Sequence, residues 1–346
     1  MYQKISIFSL YKKIIKNYWN HNRFVIFRKP NENQVFFYSH SDSDSKEEKF
    51  FIIQDFDHNY TIKIVPKKIY CSDIQKSFVR KSYEKNSFLL TDSLEYKNLI
   101  KKAIEKIRKG YFKKVVLSRS IKISFHSFYW KKTFQKLIVS YPNALVSLWY
   151  DIRHGFWIGC TPELLMQIHK RKFKTVALAG TIWNKYKWTK KEKEEHQIVI
   201  KYIIHLLKKN YNGSIVLEET KTVKMGHLKH LETPIFFYFS EEPDYYEILN
   251  KLHPTPSICG APKKESLDFI QKHEGYTRNF YTGYIGIVNR KSMEFYIHLR
   301  CARIKEDKKE ITLYAGSGIT IDSDIDREYL ETKNKVQNIF SQLFFK

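Results

Sequence analysis

The stretch Gly110-Tyr111-Phe112-Lys113-Lys114-Val115-Val116-Leu117-Ser118-Arg119 organises the reading of the chain, because a glycine there releases a helix into an apolar strand that opens with two lysines. Upstream, Tyr96, Leu99, Ile100, Ala103, Ile104 and Ile107 fall at helical spacing between Leu94 and Lys109, and Gly110 supplies the stop. Val115, Val116 and Leu117 in succession read as a strand buried on both faces. A lysine at the mouth of such a strand either snorkels to water or has a task. Both readings stand for this pair until the rest of the chain is considered.

Before this stretch, the spacing predicts a helix near Leu10 to Trp19, strands at Phe24–Phe27, Val35–Tyr38 and Phe50–Ile53, and a polar loop from Ser39 to Lys49. After it comes a helix through Trp130, Phe134, Leu137 and Ile138, ended by Pro142. Strands follow at Ala144–Tyr150 and Phe156–Gly159, with a proline-fixed turn at Cys160 to Leu165. Met166–His169 and Phe173–Ala179 read as a hairpin ended by Gly180-Thr181, and Lys190 to Lys209 as a helix with one buried face. Strands are expected at Ser214–Val223 and Pro234–Phe239, and a short helix from Tyr245 to Leu252 stops at His253-Pro254-Thr255-Pro256. A helix near Lys264–His273, strands at Tyr281–Val288, Met293–Ile304 and Ile311–Tyr314, and a closing helix from Asp324 to Phe344 complete the order. Hairpins outnumber strand-helix alternations and no repeat occurs, which predicts an α+β fold with helices packed on antiparallel sheets.

The chain has 346 residues, 42% of them hydrophobic and 16% aromatic, enough for a sizeable core. No apolar run approaches the ~20 residues that span a bilayer, and lysines interrupt Met1 to Phe27, so the expectation is a soluble cytoplasmic protein with no membrane partner. Cys71, Cys160, Cys259 and Cys301 are too scattered for a zinc knuckle or a disulfide framework. The formal charge of +25 invites a nucleic-acid reading. Its lysines are spread through nearly every segment among Ile, Asn, Tyr and Phe, the mark of an AT-rich coding bias, and no DNA- or RNA-binding motif accompanies them. A basic cleft for a small anion remains compatible with the charge.

Glu163 follows a proline in an apolar turn, where low dielectric keeps a proton available for general-acid work; the alternative is a carboxylate meeting a helix dipole. Glu195 lies beside His196 where a charged helix turns apolar, and Glu328 and Glu331 share a helix face. Mg²⁺ takes one or two such carboxylates, although solvated helix carboxylates are common. Ala315-Gly316-Ser317-Gly318-Ile319 reads as a glycine-rich turn after a strand, able to offer amides to an anion. Arg300, flanked by apolar residues on one predicted strand, faces either a buried acid or a carboxylate ligand. His230 and His253, near predicted segment ends, read as structural.

Together these motifs resemble the chorismate-utilising enzymes, most closely the isochorismate synthase branch. The resemblance runs from about Leu94 to the C-terminus, in the family's order. It comprises Lys114 to Arg119, Gly159 to Leu165, Ala177 to Thr181, Lys191 to His196, His230-Leu231 and Leu252 to Pro256, then Gly260 to Lys263, Arg278 to Gly283, Leu299-Arg300, Tyr314 to Ile319 and Glu331 to Lys335. It implies two facing antiparallel sheets wrapped by helices as one domain over residues 1–346, with residues 94–346 carrying the motifs and 1–93 less characteristic. It further implies a monomer with chorismate as substrate and Mg²⁺ as cofactor, whose product feeds menaquinone, siderophore or salicylate biosynthesis.

By resemblance, Lys114 is the base that activates water and Glu163 the acid that protonates the departing 4-hydroxyl. Glu195 and Glu331 match the Mg²⁺ ligands. Tyr281, Arg300, Gly318 and Lys335 match positions that hold substrate carboxylates, and Gly180, Thr181 and His230 line the cavity. Relatives that use ammonia to make anthranilate or aminodeoxychorismate typically carry glutamine at the position of Lys114, which favours hydration. Salicylate synthase, which forms isochorismate and then eliminates pyruvate, shares the lysine. Ser257 departs from the usual alanine, Asn279 and Phe280 depart from the common residues there, and Gly260 to Lys263 resembles the amine-forming branch.

Overall fold

In the computed structural model, which describes residues 2–41, 49–74, 93–183, 187–225, 228–290 and 292–346, the chain opens with β1 (Tyr2–Lys4), α1 (Ile7–Trp19), β2 (Phe24–Arg28) and β3 (Gln34–Ser39). Next come β4 (Lys49–Gln54), β5 (Thr61–Ile64), β6 (Ile69–Asp73), α2 (Leu94–Arg108) and β7 (Lys114–Ser124). The centre holds α3 (Trp130–Ser140), β8 (Leu145–Asp151), β9 (Gly155–Thr161), β10 (Leu164–His169), β11 (Lys172–Trp183) and α4 (Lys190–Asn210). Then follow β12 (Gly213–Leu217), β13 (Lys221–Met225), β14 (Leu228–Phe239), α5 (Tyr245–Leu252), β15 (Gly260–Ala261) and α6 (Lys263–His273). The last elements are β16 (Tyr284–Asn289), β17 (Ser292–Ile297), β18 (Cys301–Lys305), β19 (Glu310–Ile319) and α7 (Ile325–Phe340).

Among the described residues the strands form two sheets, ordered β1-β6-β3-β2-β8-β9-β18-β19-β7-β15 and β12-β14-β11-β10-β17-β16-β4-β5 with β13 also on β14. Apart from the parallel β1–β6 pair, the pairings are antiparallel. The period of two along each strand sorts its side chains between two cores. On β2, Phe24 and Ile26 pack with α1, α3 and the end of α7, whereas Val25 and Phe27 join Trp149, Trp157, Phe51, Ile53, Ile285 and Tyr296 from both sheets. That second cluster is where the sheets face each other. The nine-stranded sheet carries α4 and α5 on its other side, and α2 and α6, which pack on the β7–β15 end of the ten-stranded sheet, join the same cluster. The expected α+β architecture of two facing sheets wrapped by helices is therefore the observed one.

Five local expectations are corrected, and four of the corrections move a motif residue. The strand expected at Met293–Ile304 is two: β17 belongs to one sheet and β18 to the other, and the chain crosses between them at Arg300, whose φ is 49°. The glycine-rich run after Tyr314 is no turn, because β19 continues to Ile319 with Gly318 opposite Val116 and Gly316 opposite Ser118. β11 does not end at Gly180 but bulges there, with φ 74°, and continues to Trp183. β14 starts at Leu228, so His230 is a strand residue, and the single strand expected over Ser214–Val223 is two short ones, β12 and β13, sharing β14. The polar loop expected over Ser39 to Lys49 falls mostly outside the described residues.

Candidate active site

Alternation along β7 separates the residues of the opening stretch. Val115 and Leu117 enter the helix-side core, Lys113 stays exposed, and Lys114 points the other way with no exposed surface. The neighbouring strand presents Gly318 on that same side, and its missing side chain leaves the room that Lys114 and Glu195 occupy. A Cβ on Gly318 would lie 2.2 Å from Glu195 Oε1 and 3.1 Å from Lys114 Cε. Lys114 Nζ and Glu195 Oε1 form an ion pair at 3.0 Å. Burial pushes the Lys114 ammonium below its usual range against the pull of Glu195. Glu195 is held down at about 2: burial opposes its ionisation, but Lys114 and Lys191 outweigh it.

In front of this pair opens a cavity between the two sheets. Its wall includes Glu163, Gly180, Thr181, Glu195, His230, Tyr281, Arg300, Gly318, Glu331 and Lys335. Ten of the eleven residues to which the resemblance assigns a site role therefore share one cavity, drawn from both sheets and from α4 and α7. Lys114 lies directly behind that wall, in contact with Glu195.

Glu163 sits between β9 and β10, and burial raises its carboxyl to about 7, against the hydrogen bond from Ser257 and the charges of Lys114, Lys335 and Arg300. Ser257 Oγ donates to Glu163 Oε1 at 2.6 Å, and Thr255 Oγ1 lies 2.6 Å from Ser257 Oγ. His230 is not peripheral: Nδ1 meets the Gly180 carbonyl at 3.2 Å, and Nε2 lies 3.3 Å from Arg300 Nη2. Burial first, then Arg300 and Lys335, hold its imidazole neutral, so Nε2 accepts from the guanidinium while Nδ1–H donates to Gly180. Lys335 Nζ donates to the Gly316 carbonyl at 2.8 Å and to Glu331 Oε1 at 2.6 Å. Tyr281 stacks on Tyr314, centroids 5.1 Å apart, and both rings line the cavity.

Four participants were absent from the residues expected at the site. Lys191 bridges Glu195 Oε2 at 3.3 Å and Glu328 Oε1 at 2.8 Å, and Glu328 Oε2 is buried with no hydrogen-bond partner among the described residues. Glu328 had only its turn of helix shared with Glu331 as a signal. Ser257 and Thr255 had a motif position but no visible partner, because Glu163 is 94 residues from Ser257.

The residues present fit Mg²⁺. Among the described residues no three His, Cys, Asp or Glu side chains form a ready cage, but Mg²⁺ ordinarily takes one or two carboxylates, with water and ligand completing its shell. Glu195 and Glu331 face one cavity, and the orphaned Glu328 oxygen nearby adds hard-donor character.

A buried lysine, a carboxyl whose proton affinity burial raises, and an arginine and lysine converge on one pocket between the two sheets of an α+β fold. The fold matches a solved structure of MenF, the menaquinone-specific isochorismate synthase from Escherichia coli, with a TM-score of 0.79 at 20% identity over 93% of this chain and 89% of that one. The sequence model described as "Chorismate binding enzyme" matches residues 67–344, and the chain belongs to that family. Curated relatives include anthranilate synthase component 1 of Saccharolobus solfataricus, 26% identical over 77% of this chain and 65% of that protein. Another is the salicylate biosynthesis isochorismate synthase of Pseudomonas aeruginosa, 28% identical over 66% of this chain and 50% of that protein. The chain thus spans between half and two thirds of the length of these relatives.

Proposed function

We propose that this chain is a Mg²⁺-dependent isochorismate synthase, converting chorismate to isochorismate by adding water at C2 and expelling the C4 hydroxyl. The observation that carries this reading is Lys114: a fully buried lysine of lowered pKa beside Glu195, in a site whose other titrating group, Glu163, keeps its proton to about pH 7. Ammonia needs no such base, whereas water, a poor nucleophile at neutral pH, does.

Arg300, Lys335 and Tyr281 receive the substrate carboxylates, and neutral His230 fixes Arg300. Glu195 and Glu331 hold Mg²⁺, which when bound neutralises the dianion and polarises the reacting ring. Water forms the new C2–O bond as Lys114 Nζ takes its proton. The C4–O bond breaks as Glu163 delivers a proton to the departing oxygen, which leaves as water. One proton is taken and one given, so the reaction is an isomerisation, and Lys114 returns its proton to Glu163 through solvent between turnovers. The cavity holds the ring between acid and base.

Incubating the protein with chorismate and Mg²⁺ and separating the products tests the reading. Isochorismate alone supports it; salicylate with pyruvate identifies a salicylate synthase, and anthranilate formed only with ammonia removes both. Names among the relatives support a hydrating enzyme and an amine-forming one alike, and the product assay separates them.

A further inference from the structure

Ser257 stands where the resemblance places alanine, and the structure gives it a partner. It follows the proline-rich turn after α5 and lines the cavity. It donates to Glu163 Oε1 at 2.6 Å, and Thr255 Oγ1, 2.6 Å away, donates into the same Ser257 oxygen. Among the described residues Glu163 Oε2 has no hydrogen bond of its own. An oxygen that already accepts a hydrogen bond is the poorer site for a proton, so the proton of Glu163 resides on Oε2. Without Ser257, either oxygen would hold it.

Resting on the proposed acid role of Glu163, we propose that Ser257, backed by Thr255, is a positioning residue that pins Oε1 of the acid and directs its proton, on Oε2, toward the ligand cavity.

The charged groups facing Glu163 are Lys114 from β7, Lys335 from α7 and Arg300 from the crossing between β17 and β18. All three favour the carboxylate, as the Ser257 hydroxyl does, and only burial opposes them. Removing the hydroxyl therefore raises the pH at which Glu163 ionises, while leaving the carboxyl free to turn. A hydrogen bond to a charged group is worth enough to move that pH by about one unit. A purely structural serine would not do this.

The test compares Ser257→Ala and Ser257→Thr with the natural protein in two measurements. The first is infrared titration of the Glu163 carboxyl in the ligand-free protein, its band identified by loss in Glu163→Gln. Ser257→Ala moves the midpoint up by about one pH unit, and Ser257→Thr, which keeps the hydroxyl, restores it. The second is turnover of chorismate: the limb of the kcat profile carried by Glu163 moves with that midpoint, and kcat falls about tenfold with KM little changed. Coincident midpoints for the alanine variant and the natural protein, or failure of threonine to restore the midpoint, overturn the proposal. Absence of chorismate turnover in every form refutes the functional reading instead, and the infrared titration still decides the role of Ser257.

Discussion

At the scale of single residues, two buried groups have been moved toward each other in proton affinity: Lys114 downward by burial and Glu163 upward to about 7 by the same cause. A base that must be neutral and an acid that must be protonated give a bell-shaped kcat profile in the neutral range, as each limb removes one of them. A kcat indifferent to pH from about 6 to 9 would contradict the pairing. Lys114→Gln keeps the fold and loses hydration by at least about a hundredfold; near-normal turnover would remove the lysine from the chemistry. Gly318→Ala places a methyl 2.2 Å from Glu195 Oε1, so it displaces the ligand carboxylate and its lysine. A misplacement of that size costs about a hundredfold in kcat, to be read beside a Mg²⁺ titration. Glu331→Gln shifts that titration to higher Mg²⁺, and an unchanged curve would exclude Glu331 as a ligand.

Among the elements, the decisive joint is the buried Arg278, after α6. It pairs with Glu274, donates to the Ile258 carbonyl at 2.8 Å and to the Val116 carbonyl at 2.7 Å, and so ties the Ser257 loop to β7 two residues from Lys114. Glu274 accepts in turn from the Ser118 amide at 2.8 Å. Arg278→Met leaves Glu274 buried and unpaired, and stability falls by about 3–5 kcal/mol in urea unfolding. The double variant with Glu274→Gln recovers part of the loss; strictly additive losses would mean the two residues do not act as a pair. Legibility differed sharply at this scale. The helices were visible because apolar spacing is a local property, and the ordered motifs pointed to one cavity. The crossing at Arg300 was hidden, because apolar residues flank it on both sides whichever sheet they enter. The continuation of β19 through Gly316 and Gly318 was hidden for a different reason: glycine is a turn signal, and the need for it at Gly318 comes from Glu195, on α4.

For the whole molecule, the segment before Leu94, which carries no recognisable chemistry, is part of the frame. β2 pairs with β8, and β4 with β16, so this segment contributes strands to both sheets. Sequence alone showed these strands but not their partners, since pairing across a hundred residues leaves no local pattern. A chain reduced to residues 94–346 would bare two long apolar edges and half of the inter-sheet core. It is expected to aggregate or to lose cooperative unfolding; a soluble, active fragment would show that the N-terminal strands are an accessory. In the proposed reaction the new oxygen comes from water. The most direct test is turnover of chorismate in oxygen-18 water with Mg²⁺, followed by mass analysis of the product. The account predicts isochorismate carrying one solvent-derived oxygen, at C2, and unlabelled isochorismate would contradict it.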